Sequence, residues 1–537
     1  MTTSPGDPAR IDVQIDPDGA FADVRGSGVR VHLGEAASGG LRIDVDAVAA
    51  VSRVRLRWAR AIPEDCLVLG DAWERSYGEL EWRGVRAERI LPWTALVHRP
   101  RTGTTDGWGV EVGGASFAFW QVDRRGVTLI LDLRSGGAAA VPGDRTLTAA
   151  VVHVISGDEG ALAAQRSLLR RLCPEPLTAG GPLVGANNWY YAYGRDFGLA
   201  AVVRDARTIA ELVGDHAVRP FGVVDDGWSS AGTADGLAAS AGPWRAGRPD
   251  RFPDMAAAAE AVRAEGVRPG VWFRPLLTRE ESIEGIRARR DGALALDPSS
   301  PAVLELVAED TARFSAWGFE LIKHDFSTYD LLGAWGPDFG AAPGSGPALH
   351  DPSVTTAEAL VRFYATVRAA AGEALVLGCN VVGHLAAGLV HAQRVGDDTS
   401  GLHWDRTRRV GVNALAFRLA QHDAFFTLDA DCVPSTTATD WALNRRFLDL
   451  IARSGTALFV SVDPATRTDA VDADLAQALR LALDGGTPGG VAPLDWLHSP
   501  TPSRWSAGDE VLEYDWVGPD GADPFEPFLA GSPDPAL

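Results

Sequence analysis

Three features of the chain predict an α/β fold: a (β/α)8 TIM barrel preceded by an N-terminal antiparallel β-sandwich domain and followed by a small C-terminal β domain. From about residue 10 to 175, short segments of alternating apolar and polar residues are separated by turn residues. Beyond Cys173-Pro174-Glu175-Pro176, apolar runs of four to six residues alternate with Ala- and Arg-rich stretches of helical period. Polar residues then gather just after those apolar runs, which is where a barrel of parallel strands concentrates its chemistry. The corresponding domain boundaries are 1–177, 178–485 and 486–537.

Within the first region, Val29 to Leu33, Arg53 to Trp58 and Val127 to Leu133 alternate with period two, as half-buried strands do. Barrel strands are expected at Val184 to Asn188, Phe221 to Asp225, Pro269 to Phe273, Glu320 to Lys323, Leu375 to Cys379, Arg394 to Gly396, Phe425 to Leu428 and Ala457 to Val460. The helical stretches between them include Arg204 to Val213, Met255 to Glu265, Ala302 to Trp317, Thr356 to Ala371 and Val410 to Gln421. Eight strands favour a closed barrel over an open doubly wound sheet, which usually has fewer and for which the first strand lacks a following GxGxxG. After a last helix near Ala473 to Leu483, Gly485 to Gly490 reads as a linker. Trp496, Trp505, Tyr514 and Trp516 then punctuate a short β-like tail.

A 537-residue chain with 46% hydrophobic and 23% charged residues can bury a sizeable core. Its net charge of −21 argues against nucleic acid or anionic membrane surfaces as partners. Cys66, Cys173, Cys379 and Cys432 are widely spaced with no CxxC pair, so they read as reduced thiols. The N-terminus has neither a charged n-region nor an apolar h-region, and no uninterrupted apolar run reaches membrane-spanning length. A cytoplasmic protein without metal or cofactor is expected; the oligomeric state is not legible.

Lys323 is the only lysine, the other 49 of the 50 basic residues being arginine. Its exception points to a pocket that needs a compact ammonium with rotatable donors. Period-two alternation puts Lys323 and Asp325 on one face of a strand and His324 on the other. An ammonium keeps a neighbouring carboxylate ionised, which suits a nucleophile, although a buried structural ion pair would look the same. Asp225-Asp226-Gly227-Trp228 offers adjacent acceptors and an indole that could stack on a sugar, or simply a turn. Arg394-Val395-Gly396-Asp397-Asp398-Thr399 supplies a second carboxylate pair on the sixth strand. Mutual repulsion is expected to raise the pKa of one member towards that of a general acid. Retaining glycoside cleavage uses two such carboxyl groups about 5 to 5.5 Å apart. His384 and His391, seven apart, could share a helix face but lack a third ligand for a metal. Asp429 and Asp431 read as hydrogen-bonded framework.

In order, Trp189-Tyr190, Asp225-Asp226, Gly270 to Pro275, Lys323-His324-Asp325, Gly378-Cys379, Arg394 to Thr399 and Asp429 to Cys432 resemble the motifs of glycoside hydrolase family 36, the α-galactosidases of clan D, especially its compact bacterial and archaeal-type members. The resemblance spans about Trp189 to Cys432 and implies a barrel flanked by two β domains. It implies that Asp325 is the nucleophile and Asp398 the acid/base, with Asp397 as the alternative acid/base. Trp189, Asp225, Asp226, Trp272, Lys323, Cys379 and Arg394 are implied to line the sugar site. His324 and Arg274 depart from the family pattern, and with the Gly/Pro-rich loop from Leu332 to Pro347 they point to an altered sugar or aglycone. The implied activity is a retaining α-glycosidase, most simply an α-galactosidase acting on an oligosaccharide or other glycoside. A transglycosidase on α-galactosides or a modified sugar, and a sugar-binding protein without turnover, are the alternatives.

Overall fold

The computed structural model describes residues 5–195, 197–230, 241–288, 294–341, 344, 346–518 and 521. Its first region consists of two antiparallel sheets. One has six strands in the order Ala22–Asp23, Arg10–Gln14, Arg53–Ala59, Gly126–Asp132, Phe117–Asp123 and Leu91–Pro92. The other has seven, in the order Val29–Glu35, Leu41–Ala47, Thr146–Gly157, Thr104–Val110, Thr94–Arg99, Leu67–Gly70 and Arg83–Gly84. Period-two patterning is carried out literally in Arg53–Ala59: Val54, Leu56 and Trp58 are buried, while Arg53, Arg55 and Arg57 on the opposite face pair with Asp132, Asp12 and Asp123. A helix, Ala161–Leu172, follows the sheets and departs from the all-β expectation. Leu168, Leu169 and Leu172 form its buried stripe, and Leu172 packs where Gly109 has no side chain to obstruct it.

The barrel strands are Val184–Asn187, Phe221–Val224, Arg268–Phe273, Leu321–His324, Leu375–Gly378, Ala392–Arg394, Thr427–Asp429 with Val433–Ser435, and Leu458–Val462, all parallel. Nine segments therefore stand where eight were expected, because the seventh strand is broken. Asp429 is bridged to Ala457, and Val433 pairs with Val460. The chain thus takes four steps on one side against three on the other, a one-residue bulge at Ala430–Cys432 with Asp431 at φ 80°. The Asp429–Ala457 bridge, with Ala457 N–H donating to Leu428 O at 2.8 Å, closes the barrel. The sixth strand starts two residues earlier than expected and the seventh two later. Residues at strand ends carry too little pattern to define a boundary.

Alternation sorts the strands into an inner and an outer set. Phe221, Val223, Leu321, Leu377, Cys379, Ala392 and Phe459 form a cluster inside the barrel. Val224, Val271, Phe273, Ile322 and Val376 join the larger cluster that includes the surrounding helices. Those helices are Leu199–Val213, Met255–Ala264, Pro301–Ala316, Thr356–Ala370, Trp441–Ser454 and Asp469–Leu483. After the sixth strand, Trp404–Thr407 and Asn413–Arg418 are joined by a π-helical turn, Arg408–Val412. After the fifth strand the helix is a single turn, Gly383–Ala386. It ends before His391, so the two histidines do not share a helix face: His384 stacks on Trp93, and His391 Nδ1 accepts from Val376 N–H. A small antiparallel sheet of Leu277–Thr278, Leu294–Leu296 and Ile286–Ala288 follows the third strand and has no counterpart in the sequence reading.

Val491–Pro493, Arg504–Ala507 and Glu510–Glu513 form the C-terminal antiparallel sheet. Its aromatic residues tie it down: Trp496 meets Trp82 edge-to-face at 5.4 Å, and Trp404 Nε1 donates to Trp516 O. Residues 1–4 and 522–537, and positions 342, 343 and 345 of the expected selectivity loop, lie outside the described residues. No helix among the described residues is long and apolar enough to cross a membrane.

Gly401, in the loop after the sixth strand, passes so close to the Tyr190 carbonyl that a Cβ would collide with it. Gly401→Ala is expected to cost about 1–3 kcal/mol, measured as a lower urea midpoint with unchanged slope.

Candidate active site

Asp325 lies one residue beyond the fourth strand and is 6% exposed. Its carboxylate accepts from Trp272 Nε1 at 2.9 Å through Oδ2, and from Phe326 N–H at 2.6 Å and Asn380 Nδ2 through Oδ1. Burial works against its charge, but Lys323, Arg394 and the Trp272 bond outweigh it and hold the carboxyl below its ordinary range. Phe326 (φ 61°) and Asn380 (φ 48°) are non-glycine residues in the left-handed region, each just past a strand end. Such conformations persist only where surrounding contacts impose them, and here both bear on one carboxylate.

Lys323 points into the barrel as alternation requires, but its ion pair is with Asp225 at 2.7 Å, not with Asp325. Asp225 also accepts from Asn187 Nδ2 at 2.6 Å and from Asp226 N–H at 2.9 Å. Burial opposes the Lys323 charge, and Asp225 with nearby Cys379 and Asp325 raises its pKa well above the usual lysine value. Asp226 is half-buried beside Asp225, and its Oδ1 receives Gly227 N–H. Cys379 is fully buried in the inner cluster, with its thiol pKa pushed up by burial. Trp272 packs edge-to-face on Trp244 at 5.9 Å. Trp189 sits half-buried at the rim, edge-to-face on Tyr193. Trp228 cannot stack on a ligand: it is fully buried among Trp244, Phe314 and Trp317, with its Nε1 donating to Trp272 O. Arg274 is buried, forked onto Asp330 at 2.8 and 2.6 Å, and lies over the Phe326 ring, with its charge felt by Asp325 and Asp226.

The two adjacent aspartates after the sixth strand have separate environments. Asp397 is 1% exposed and bonded to Arg75 at 3.0 Å and Arg406 at 2.7 Å, whereas the Asp398 side chain is 28% exposed. Asp398 Oδ1 meets Arg394 Nη2 and, at 3.3 Å, Arg75 Nη1. The rise in pKa expected for one member of the pair is not found at Asp398. Burial pushes the Asp398 pKa up, but Arg394, Arg75 and Arg406 together hold it well below the usual carboxylate range. Repulsion between the pair is outweighed because three guanidinium groups serve two carboxylates.

The broken seventh strand supplies the framework expected of its aspartates. Asp431 Oδ2 accepts from Tyr190 OH and from Thr399 N–H at 2.8 Å, and Asp429 Oδ1 accepts from Asp431 N–H. Arg394, 3.5 Å from Asp431, links this group to Asp398. The nine residues singled out from the sequence thus converge on the C-terminal mouth of the barrel, with Trp189 at its edge.

Arg406 and Arg75 were not singled out, and Asn380, which directly follows Cys379, stood among the polar strand-end residues without an assigned role. Arg75 comes from the N-terminal region, 323 positions from Asp398, and no local signal marks it.

No protein-family model and no curated protein matches the chain. It is similar to the solved structure of an α-galactosidase from Thermus thermophilus with p-nitrophenyl α-D-galactopyranoside: 20% identity, TM-score 0.61, covering 90% of this chain and 96% of that one. It is also similar to a family 36 α-galactosidase variant from Geobacillus stearothermophilus with 1-deoxygalactonojirimycin (16% identity, TM-score 0.59, covering 86% and 68%). A third is an α-galactosidase from Lactobacillus brevis (14% identity, TM-score 0.59, covering 86% and 66%). The fold is therefore that of the family 36 α-galactosidases, a barrel with flanking β domains.

Burial, with Asp431 beside it, pushes the Asp429 carboxyl up to about 6. A carboxyl whose folded pKa is raised contributes least above that pKa, where the folded state must hold the charge in place. Asp429→Asn is expected to raise stability by about 1–3 kcal/mol near pH 8 and far less near pH 4, read from urea midpoints at the two pH values.

Proposed function

We propose that the chain is a retaining α-glycosidase, an α-galactosidase that hydrolyses terminal α-galactosyl residues by double displacement. The observation that carries this reading is Asp325, a buried carboxylate kept ionised and aimed by three hydrogen bonds, opening on the same mouth as the more exposed Asp398. The bound nitrophenyl galactoside of the Thermus enzyme supports galactose as the sugar. Asp225, Asp226, Lys323, Trp189, Trp272, Cys379 and Arg394 form the sugar site in this reading. No cofactor takes part in the chemistry, and the division at 177/178 and 485/486 separates the barrel from its flanking domains. Four buried free cysteines fit a reducing, cytoplasmic compartment.

In the first step, an Asp325 oxygen attacks the anomeric carbon as the bond to the leaving oxygen breaks, and that oxygen takes the proton of Asp398. Oδ2, which accepts one hydrogen bond where Oδ1 accepts two, keeps more lone-pair density for the attack. In the second step Asp398, now ionised, takes a proton from water, whose oxygen displaces Asp325. Arg394, paired with Asp398, stabilises the ionised form needed there.

Nitrophenol release from a panel of nitrophenyl α- and β-glycosides tests the reading. Activity is expected on the α-galactoside and no activity in Asp325→Asn. Asp398→Asn is expected to lose about a hundredfold to ten-thousandfold on a substrate with a poor leaving group and less on the nitrophenyl substrate. Silence across the panel, or full activity in Asp325→Asn, would overturn it. Product analysis with added acceptor sugars separates hydrolysis from transfer.

The pH dependence follows from the same charges. Asp325 stays ionised into acid solution, and Asp398 gains its proton only there. Turnover of an alkyl galactoside is therefore expected to rise as pH falls below neutral towards about 5, and an alkaline optimum would contradict the assignment.

A further inference from the structure

The N-terminal region reaches into the mouth of the barrel. Ser76 adds a one-residue parallel bridge beyond the sixth strand at Gly396, with Ser76 N–H donating to Val395 O at 2.9 Å and Asp397 N–H to Ser76 O at 2.7 Å. Next to that bridge, Asp397 accepts from Arg75 on one side and from Arg406 on the other. Arg406 also donates from Nε to the Asp398 carbonyl at 2.8 Å, and Arg75 donates to the Asp398 carboxylate. Arg75 is 4% exposed and is held laterally by the Trp335 ring at 4.7 Å and the Tyr77 hydroxyl at 3.2 Å.

From this geometry we propose that Asp397 is a positioning residue: it claims part of the charge of Arg75 and Arg406, so that these arginines orient Asp398 without locking its proton out, and the N-terminal domain thereby takes part in the acid/base step. The inference rests on the reading of Asp398 as acid/base. Asp397 itself, buried and bonded through both oxygens, never meets substrate.

The charges that bear on the pair come from several elements. Arg394 from the sixth strand, Arg406 from the following helix, Arg75 from the N-terminal region and Lys323 from the fourth strand favour the ionised form of Asp398. Asp325, Tyr190 and Cys379 also face Asp398. Glu74 and Tyr77, bonded to each other, face Asp397. Neutralising Asp397 leaves Arg75 and Arg406 acting on Asp398 alone. Removing Arg75 does the reverse.

The two changes consequently move one ionisation in opposite directions. The test measures kcat/KM against pH for the full-length protein, Asp397→Asn, Arg75→Met and the double variant, on methyl α-galactoside and on the nitrophenyl α-galactoside. For the methyl glycoside, which needs protonation of its leaving oxygen, the alkaline limb is expected to move to lower pH in Asp397→Asn, with about a tenfold loss at neutral pH. It is expected to move to higher pH in Arg75→Met and to return towards the wild-type position in the double variant. The nitrophenyl substrate should show much smaller displacements.

A purely structural role would lower activity on both substrates alike without displacing the limb, and that result, or displacements of the same sign, would overturn the inference. Asp398→Asn run alongside separates the two levels. Selective loss on the methyl glycoside in Asp398→Asn with no displacement in Asp397→Asn leaves the acid/base reading standing and removes the positioning role. Full activity of Asp398→Asn on the methyl glycoside, with the loss appearing in Asp397→Asn instead, would make Asp397 the acid and overturn both.

Discussion

Burying a charge inside a barrel is tolerable only if its partner is buried with it, and the mouth of this barrel is organised by that requirement. Lys323 and Asp225, 12% and 4% exposed at their side chains, lie 2.7 Å apart on strands that are not neighbours. Removing one member of such a pair leaves the other uncompensated, at a cost of about 3–5 kcal/mol. The pair therefore constrains the second and fourth strands together. Asn187 extends it to the first strand, and Arg394 with Asp398 and Asp431 performs the same service for the sixth and seventh. Only after these charges are matched is Asp325 left ionised and aimed.

Backbone strain recurs at the same level of the barrel. Phe326, Asn380 and Asp431 adopt left-handed conformations without the freedom of glycine, each within two residues of the last inward side chain of a strand. Their neighbours pin them. Phe326 lies under the Arg274 guanidinium, Asn380 O accepts from Thr328, and Asp431 holds Tyr190 and Thr399. The bulge in the seventh strand belongs to this set, since one extra residue turns Asp431 towards Arg394 while the strand still closes the barrel.

The flanking domain does more than cover the barrel. Trp73 Nε1 donates to Gly340 O, Glu74 accepts from Gly336 N–H, and Ser76 bridges Gly396. One short N-terminal segment therefore braces the loop after the fourth strand and the loop after the sixth, which carry the environment of Asp325 and of Asp398. The Glu74 and Arg75 side chains sit among these contacts, so the acid/base proposed for the reaction is set partly by a domain that contributes no barrel strand.

Composition and period decided a great deal without any coordinates. Period two over Arg53–Ala59 and inside Leu321–His324 determined which side chains enter the core, because successive strand residues must point to opposite faces. The lone lysine drew attention to the fourth strand end, since an arginine-rich chain keeps a lysine where a compact ammonium is wanted, and it lies paired with Asp225. The order of the polar strand ends marked the residues that line the mouth of the barrel. What only the tertiary structure decided are the contacts between residues far apart in sequence: that Lys323 pairs with Asp225 and not with its near neighbour Asp325, that Trp228 is core, that Arg274 is forked onto Asp330, and that Asp397 and Asp398 part company. The helix Ala161–Leu172 and the broken seventh strand belong here too, since packing and register, not local pattern, required them. Arg75 is the clearest case. Its role depends on the field of three guanidinium groups from three parts of the chain, and an electrostatic field at a point has no signature in the residues beside it.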